Sequence, residues 1–213
     1  MKIVAIVQAR MGSTRLPNKV LKPINGVPMI ELILKRLSQS KELDEIVVAT
    51  SVDPRNQPLV SHVTSLGFSC EQGSENDVLE RFVNVARKYQ AGVVVRITGD
   101  CPLVDPELVD ECIRRFHLEN VSYLSNTQPP TYPDGLDVEV VTVAALERAL
   151  KESDSPFDHE HVTPYIYNSG LFTTSVMQNQ TDYSELRWTV DEQSDLEVID
   201  NIFNHFKPNI NFS

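Results

Sequence analysis

The sequence predicts a three-layer α/β/α domain built on a mostly parallel, mixed sheet. Two observations carry this. Residues 2–7 (KIVAIV), 45–50 (EIVVAT) and 93–98 (VVVRIT) are compact β-branched runs without polar alternation, as strands buried on both faces are. Amphipathic stretches separate them, so that the first ~120 residues read β-α-β-α-β-α-β-α, the order that gives a parallel sheet with helices on both faces.

The elements follow in order. Residues 28–40 place Ile30, Ile33, Leu34 and Leu37 at helical spacing behind Pro28, which suits a first turn. After the strand at 45–50 comes a Pro/Asn loop, a helix near 57–65 and a short strand near Phe68. Residues 76–89 put Val78, Phe82, Val85 and Tyr89 on one stripe. Asp105-Pro106-Glu107 starts the next helix, with Asp105 as N-cap and Pro106 at the first helical position. The second half holds a Pro-rich loop (127–135), a strand at 138–142, a helix at 144–152 and a helical segment at 158–168. A last helix is expected from Ser194, where Ser194 and Glu197 have capping-box spacing ahead of Ile199, Ile202 and Phe203. The 213 residues are read as a single domain, with a C-terminal excursion around 127–185.

Composition narrows the function classes. A chain of this length buries roughly 70% of its unfolded surface and needs no disulfide or metal staple. The net charge of −11 argues against a general nucleic-acid binder, but not against binding one nucleotide, which needs only a few local cations. The three cysteines, Cys70, Cys101 and Cys112, form no C-x-x-C pair, which fits free thiols in a reducing cytoplasm. No stretch approaches the ~20 apolar residues of a membrane span, and the N-terminus lacks signal-peptide features.

The strongest chemical signal is ARMGSTRLPNK (9–19), directly after the first strand. Ligands of open parallel sheets bind beyond the carboxyl ends of the strands. Here Arg10, Arg15 and Lys19 supply cations for a polyphosphate, Ser13 a hydroxyl, and Gly12 room for close backbone approach. The loop is neither a P-loop nor a G-x-G-x-x-G. The second signal is RITGDCP (96–102) after the third strand; Asp100 would face the cationic loop, the natural place for Mg²⁺. The third is RWTVDEQSDLEVI (187–199). Asp191 there either shares the metal with Asp100 or complements a helix dipole. Arg10, Lys19 and Asp100 are the catalytic candidates. Arg96, Gly99, Asp137 and Glu139 (in DGLDVEV), and His161 (in DHEHVTPYIY) join the loop residues as candidate substrate contacts. His159 and His161 stand two apart, on different helix faces, and make a poor zinc pair. Cys101 has no base beside it in sequence, and no nucleophile motif is present.

At these residues the chain resembles the cytidylyltransferases that make CMP-activated acidic sugars, and within them the group named for the spore coat polysaccharide protein SpsF. QARMGSTRLPNKVLKPINGVPMIE, ERF (80–82), RITGDCPLVDP, DGLDVEV, EHVTPYI and RWTVDEQSDL carry the resemblance over nearly the whole chain. It implies a nucleotide-diphospho-sugar transferase (Rossmann-like) fold. It also implies a triphosphate held by Arg10, Ser13, Arg15 and Lys19, and Mg²⁺ held by Asp100 and Asp191. The expected substrates are CTP and an acidic sugar, the expected assembly is a homodimer, and the 127–185 excursion is expected to serve acceptor binding or dimerisation. Related Kdo cytidylyltransferases carry Gly-Asp-Glu-Pro where this chain has Gly99-Asp100-Cys101-Pro102, so an acidic residue is replaced by Cys101. Two alternatives stay open: use of another NTP or a sugar phosphate, and a non-catalytic nucleotide-binding partner in a glycan pathway.

Overall fold

The computed structural model describes residues 1–212. In chain order the elements are β1 (Ile3–Gln8), β2 (Pro23–Ile24), β3 (Val27–Pro28), α1 (Met29–Leu37), β4 (Glu45–Ser51), α2 (Gln57–Ser65), β5 (Ser69–Gly73), α3 (Val78–Lys88), β6 (Val93–Thr98) and α4 (Pro106–Glu119). There follow β7 (Tyr123–Ser125), β8 (Glu139–Thr142), α5 (Val143–Glu152), α6 (Pro156–His161), α7 (Pro164–Asn168), β9 (Thr174–Val176) and α8 (Gln193–Phe206).

Seven strands form one sheet in the order β5-β4-β1-β6-β8-β7-β9. The first four run parallel, β8 is antiparallel to both of its neighbours, and β7 pairs with β9 in parallel. The mostly parallel, mixed sheet of the sequence reading is therefore present. Its two faces are buried separately. Ile3, Ala5 and Val7 of β1 join a core with α1, α2, α4 and α8, whereas Val4 and Ile6 join a second core with α3, α5 and α7. The period-two alternation of a strand delivers successive side chains to opposite layers, which is why β1 has no polar face to show in sequence.

Several elements differ from expectation. The short strands β7 and β9 flank the sheet's far edge, and β8 and β9 build part of the 127–185 segment into the sheet. The helical segment at 158–168 is two short helices, parted where Val162 takes φ 75° and Pro164 removes an amide donor. The last helix starts at Gln193, because Asp195 accepts from the amides of Asp191 (2.9 Å) and Glu192 (2.8 Å). The reciprocal cap is Glu192/Asp195, not Ser194/Glu197. Among the described residues no helix is long and apolar enough to cross a membrane.

Candidate active site

The cationic loop is fastened from beneath. Met11, Leu16 and Val20 are buried, while Arg10, Gly12, Thr14 and Arg15 between them stay exposed. The buried Asn56 accepts from the Met11 amide (2.8 Å) and donates to the Ser51 hydroxyl (2.7 Å), tying the loop to the end of β4. Ser13 is half-buried, and its hydroxyl accepts from the Leu16 amide (3.4 Å), closing a turn. A tight helical turn at Lys19–Leu21, entered through Asn18 at φ 59°, then aims Lys19 back across the sheet edge.

Gly99 lets the end of β6 press on the end of β1: its amide donates to the Gln8 carbonyl (2.8 Å), and an added Cβ would stand 2.9 Å from both that oxygen and the Ala9 Cβ. The next residue, Asp100, thereby reaches Lys19. The ammonium donates to Asp100 Oδ2 (3.0 Å), Asp191 Oδ1 (2.9 Å) and the Val190 carbonyl (3.0 Å). Two carboxylates 91 positions apart in sequence thus converge on one cation, and the Val190 amide bonds the Asp100 carbonyl at 2.9 Å. Arg15 and Arg187 each reach Asp191 Oδ2 at 3.0 Å. Burial alone would raise the Asp191 carboxyl, but Lys19, with Arg15 and Arg187, holds it below the usual range.

These groups border a cavity of about 520 Å³. Arg10, Gly12, Ser13, Arg15, Lys19, Gly99, Asp100 and Asp191 all line it, so the three sequence signals meet at one place. The rest of the lining includes residues that the sequence reading did not name as candidate contacts, although Arg81 lies in the quoted ERF (80–82) and Glu160 in EHVTPYI. Glu75 pairs with Arg10 at 3.0 Å, and the buried Arg81 lies along Gly73 and donates to the Ser74 carbonyl, shaping that part of the lining. Asn76 and Glu160 also border the space. The structure buries Arg81 next to the stripe of Val78, Phe82 and Val85, and a buried arginine needs a polar task.

Four expected substrate contacts do not line this cavity: Arg96, Asp137, Glu139 and His161. Arg96 is paired with Glu139, and Glu139 also accepts from Tyr123 (2.6 Å) and Thr163 (2.7 Å). Both sit in the sheet, on facing strands, as an internal pair; Arg96 also donates to Gln8 Oε1 (3.3 Å), while its buried Nε has no partner among the described residues. Burial, then Asp134 and Glu139, pushes the Asp137 carboxyl up to about 6. His161 is exposed, its ring 4.3 Å from that of Phe157. It is the neighbouring Glu160 that lines the cavity, because α6 turns that face inward. His159 bridges Asp77 (2.7 Å) and the Ser153 carbonyl (2.9 Å), which is a structural tie between α6 and the start of α3. Cys101 is fully enclosed and burial raises its thiol, so it stays protonated and unreactive.

The donor set suits Mg²⁺. Among the described residues no group of three or more His, Cys, Asp and Glu side chains could hold a metal by itself. Asp100 and Asp191 instead offer hard oxygens where a cation already sits, the pattern of an ion bound through one or two carboxylates plus substrate phosphates.

A cationic loop facing two convergent carboxylates, at the carboxyl edge of a sheet covered on both sides, defines a nucleotide-handling transferase. The family profile described as cytidylyltransferase matches residues 4–202. An uncharacterized protein of Methanocaldococcus jannaschii is 40% identical over 210 residues, 97% of this chain and 85% of that one. The spore coat polysaccharide biosynthesis protein SpsF of Bacillus subtilis is 35% identical over 204 residues, 92% of this chain and 84% of that one. A solved cytidylyltransferase of Leptospira borgpetersenii superposes with TM-score 0.96 at 32% identity, over 100% of this chain and 90% of that one. A CMP:2-keto-3-deoxy-manno-octonic acid synthetase solved with CTP shares the fold, with TM-score 0.75 at 21% identity over 97% of this chain and 100% of that one. The chain belongs to the cytidylyltransferase family.

Proposed function

We propose that this protein transfers the cytidylyl group of CTP to a hydroxyl of an acidic sugar, forming a CMP-sugar and pyrophosphate for surface polysaccharide synthesis. The carrying observation is the convergence of Asp100 and Asp191 on Lys19, opposite the exposed cations of the 9–19 loop. In this reading the sugar hydroxyl oxygen attacks the α-phosphorus, its bond to the oxygen bridging to the β-phosphate breaks, pyrophosphate leaves, and the hydroxyl proton passes to solvent. Arg10, Arg15 and Lys19 take up the charge that grows on the departing pyrophosphate. The protein's main work is positioning and charge neutralisation. Asp100 and Asp191 would hold Mg²⁺, which supplies further charge neutralisation on the phosphates. The acidic acceptor and the polysaccharide role rest on what the related SpsF and octonic acid synthetase are named for. The reading includes a cytoplasmic homodimer, and the three free thiols support the compartment; light scattering at micromolar concentration checks the assembly.

The test is a thermal-shift panel with CTP, UTP, ATP and GTP, each with Mg²⁺, followed by pyrophosphate release with keto-sugar acids. CTP is expected to raise Tm the most, by the equivalent of about 2.7 kcal/mol at a hundredfold excess over Kd. Equal shifts for all four nucleotides overturn the cytidine claim. Pyrophosphate release with neutral sugars, but not with sugar acids, overturns the acceptor claim.

A further inference from the structure

We propose that Lys19 and Arg15 are built-in counter-ions of the carboxylate pair, so that the protein takes up its divalent metal only together with a triphosphate. The inference rests on Asp100 and Asp191 being the metal ligands, and it concerns what occupies them before substrate arrives.

The geometry is specific. The Lys19 ammonium lies within 3.0 Å of an oxygen on each carboxylate and is only 13% exposed. Its third donor is used by the Val190 carbonyl. A divalent ion placed on both carboxylates would meet this ammonium at close range, and like charges at close range repel strongly where water is scarce. Asp191 carries two further cations, which differ in freedom. Arg187 is held by Asp195 (2.8 Å) and faces Asp134 (3.8 Å) as well as Asp191, so it stays in place. Arg15 is 59% exposed, and its ion pairs among the described residues are with Asp191 (3.0 Å) and Glu192 (3.8 Å), so it can swing away. Both Arg15 and Lys19 border the cavity.

A triphosphate entering that cavity offers these two cations a stronger anion. Once they turn to it, the carboxylates are released for a metal that also binds the phosphates. The free protein does not need a metal to hold its acidic residues together, and metal without nucleotide finds the carboxylates already neutralised. Metal and triphosphate therefore bind with positive coupling, and the coupling runs through two side chains of this chain.

The test measures Mn²⁺ binding to nucleotide-free protein, from the loss of the free-ion electron paramagnetic resonance signal. Lys19→Met, which keeps the stem and removes the charge, is expected to bind Mn²⁺ about tenfold more tightly than wild type, within the usual range of such couplings. Adding Asp191→Asn to Lys19→Met should erase that gain, which locates it at the carboxylate pair. Equal Mn²⁺ affinity of wild type and folded Lys19→Met overturns the inference. If Lys19→Met does not fold, Arg15→Met replaces it, because the Arg15 side chain lies at the surface; a smaller gain of the same sign is expected, and no gain overturns the inference. Should water-proton relaxation show that no form of the protein takes up Mn²⁺, even with CTP present, the metal reading itself falls, a result distinct from the other two.

Discussion

Arg96 on β6 and Glu139 on β8 occupy directly opposed positions of the antiparallel ladder, and their side chains form an ion pair that is almost wholly enclosed. The pair stands between the central strand and the reversed strand. Tyr123 and Thr163 complete the coordination of Glu139. Removing one member leaves the other as a buried, uncompensated charge. Arg96→Met is expected to cost about 3–5 kcal/mol, the scale for breaking a buried pair. Adding Glu139→Gln should recover much of that loss. Urea denaturation of the single and double variants checks it; a loss for Arg96→Met that stayed under about 1 kcal/mol would place the pair among weak surface bridges.

The two carboxylates at Lys19 predict a kinetic pattern. Asp100→Asn and Asp191→Asn should each lower kcat by roughly 10²-fold, the scale of losing one preorganised electrostatic partner. Both should fold, since neither belongs to either core. Their effects should not add, because both act on one centre, and high Mg²⁺ should partly restore each single variant. Unchanged activity and unchanged magnesium dependence in Asp191→Asn would return that residue to a helix-start role.

Gly99→Ala tests how tightly the site is set. The new methyl would press on the Gln8 carbonyl, at the end of β1, and on the Ala9 Cβ and Cα, just past it, where the Ala9 amide is tied to the Ala49 carbonyl (3.2 Å). We expect a stability loss of about 1–3 kcal/mol, as for other overpacking changes, together with a fall in kcat as Asp100 moves off Lys19. Thermal melting and steady-state kinetics on the same sample check both. Full activity would show that the β6 turn can give way without moving Asp100.

Asp137 predicts a pH dependence. Its carboxyl titrates near 6 in the folded protein, against about 3.9 unfolded. The folded state therefore holds a proton over a range where the unfolded state has lost it, and stability falls as pH rises from about 4 to 6. Asp137→Asn removes this loss. Its Tm should exceed that of wild type above pH 6, and the difference should shrink as pH falls through that window. A Tm difference independent of pH would mean that Asp137 is solvated as an ordinary surface carboxylate.

Much of the fold was legible from residues alone. β1, β4 and β6 are covered on both faces, so their sequences are centred on apolar runs with no polar alternation, Arg96 being the charged residue inside β6. The strands β7 and β9 have three residues each, too few for a period to register, and their pairing depends on partners far along the chain. The β2–β3 hairpin did leave a sign, Asn25-Gly26 between Ile24 and Val27, with both residues at positive φ as a type I′ turn demands. Within the site, the loop was readable because three cations within ten residues are unusual in an acidic chain, and Asp100 because it directly follows a buried strand; Asp191 stayed open between a metal ligand and a helix-start role, since its residue type is common here. Arg96 and Glu139 were not separable from ligands by type: a charged residue at a strand end looks the same whether it faces a substrate or a partner on the next strand. Glu160 and His161 are adjacent, and only the rotation of a short helix decides which of them faces the cavity.

The bond between Lys19 and Asp191 spans 172 positions of the chain. During synthesis at roughly 5–20 residues per second, that separation corresponds to roughly 10–30 s between the appearance of the two groups. Through that interval the nascent protein carries its cationic loop with at least one of the two carboxylate partners of Lys19 still unmade. Docking of the 187–206 segment therefore follows completion of the other site elements, and the site becomes competent only once residues through about 206 have left the ribosome.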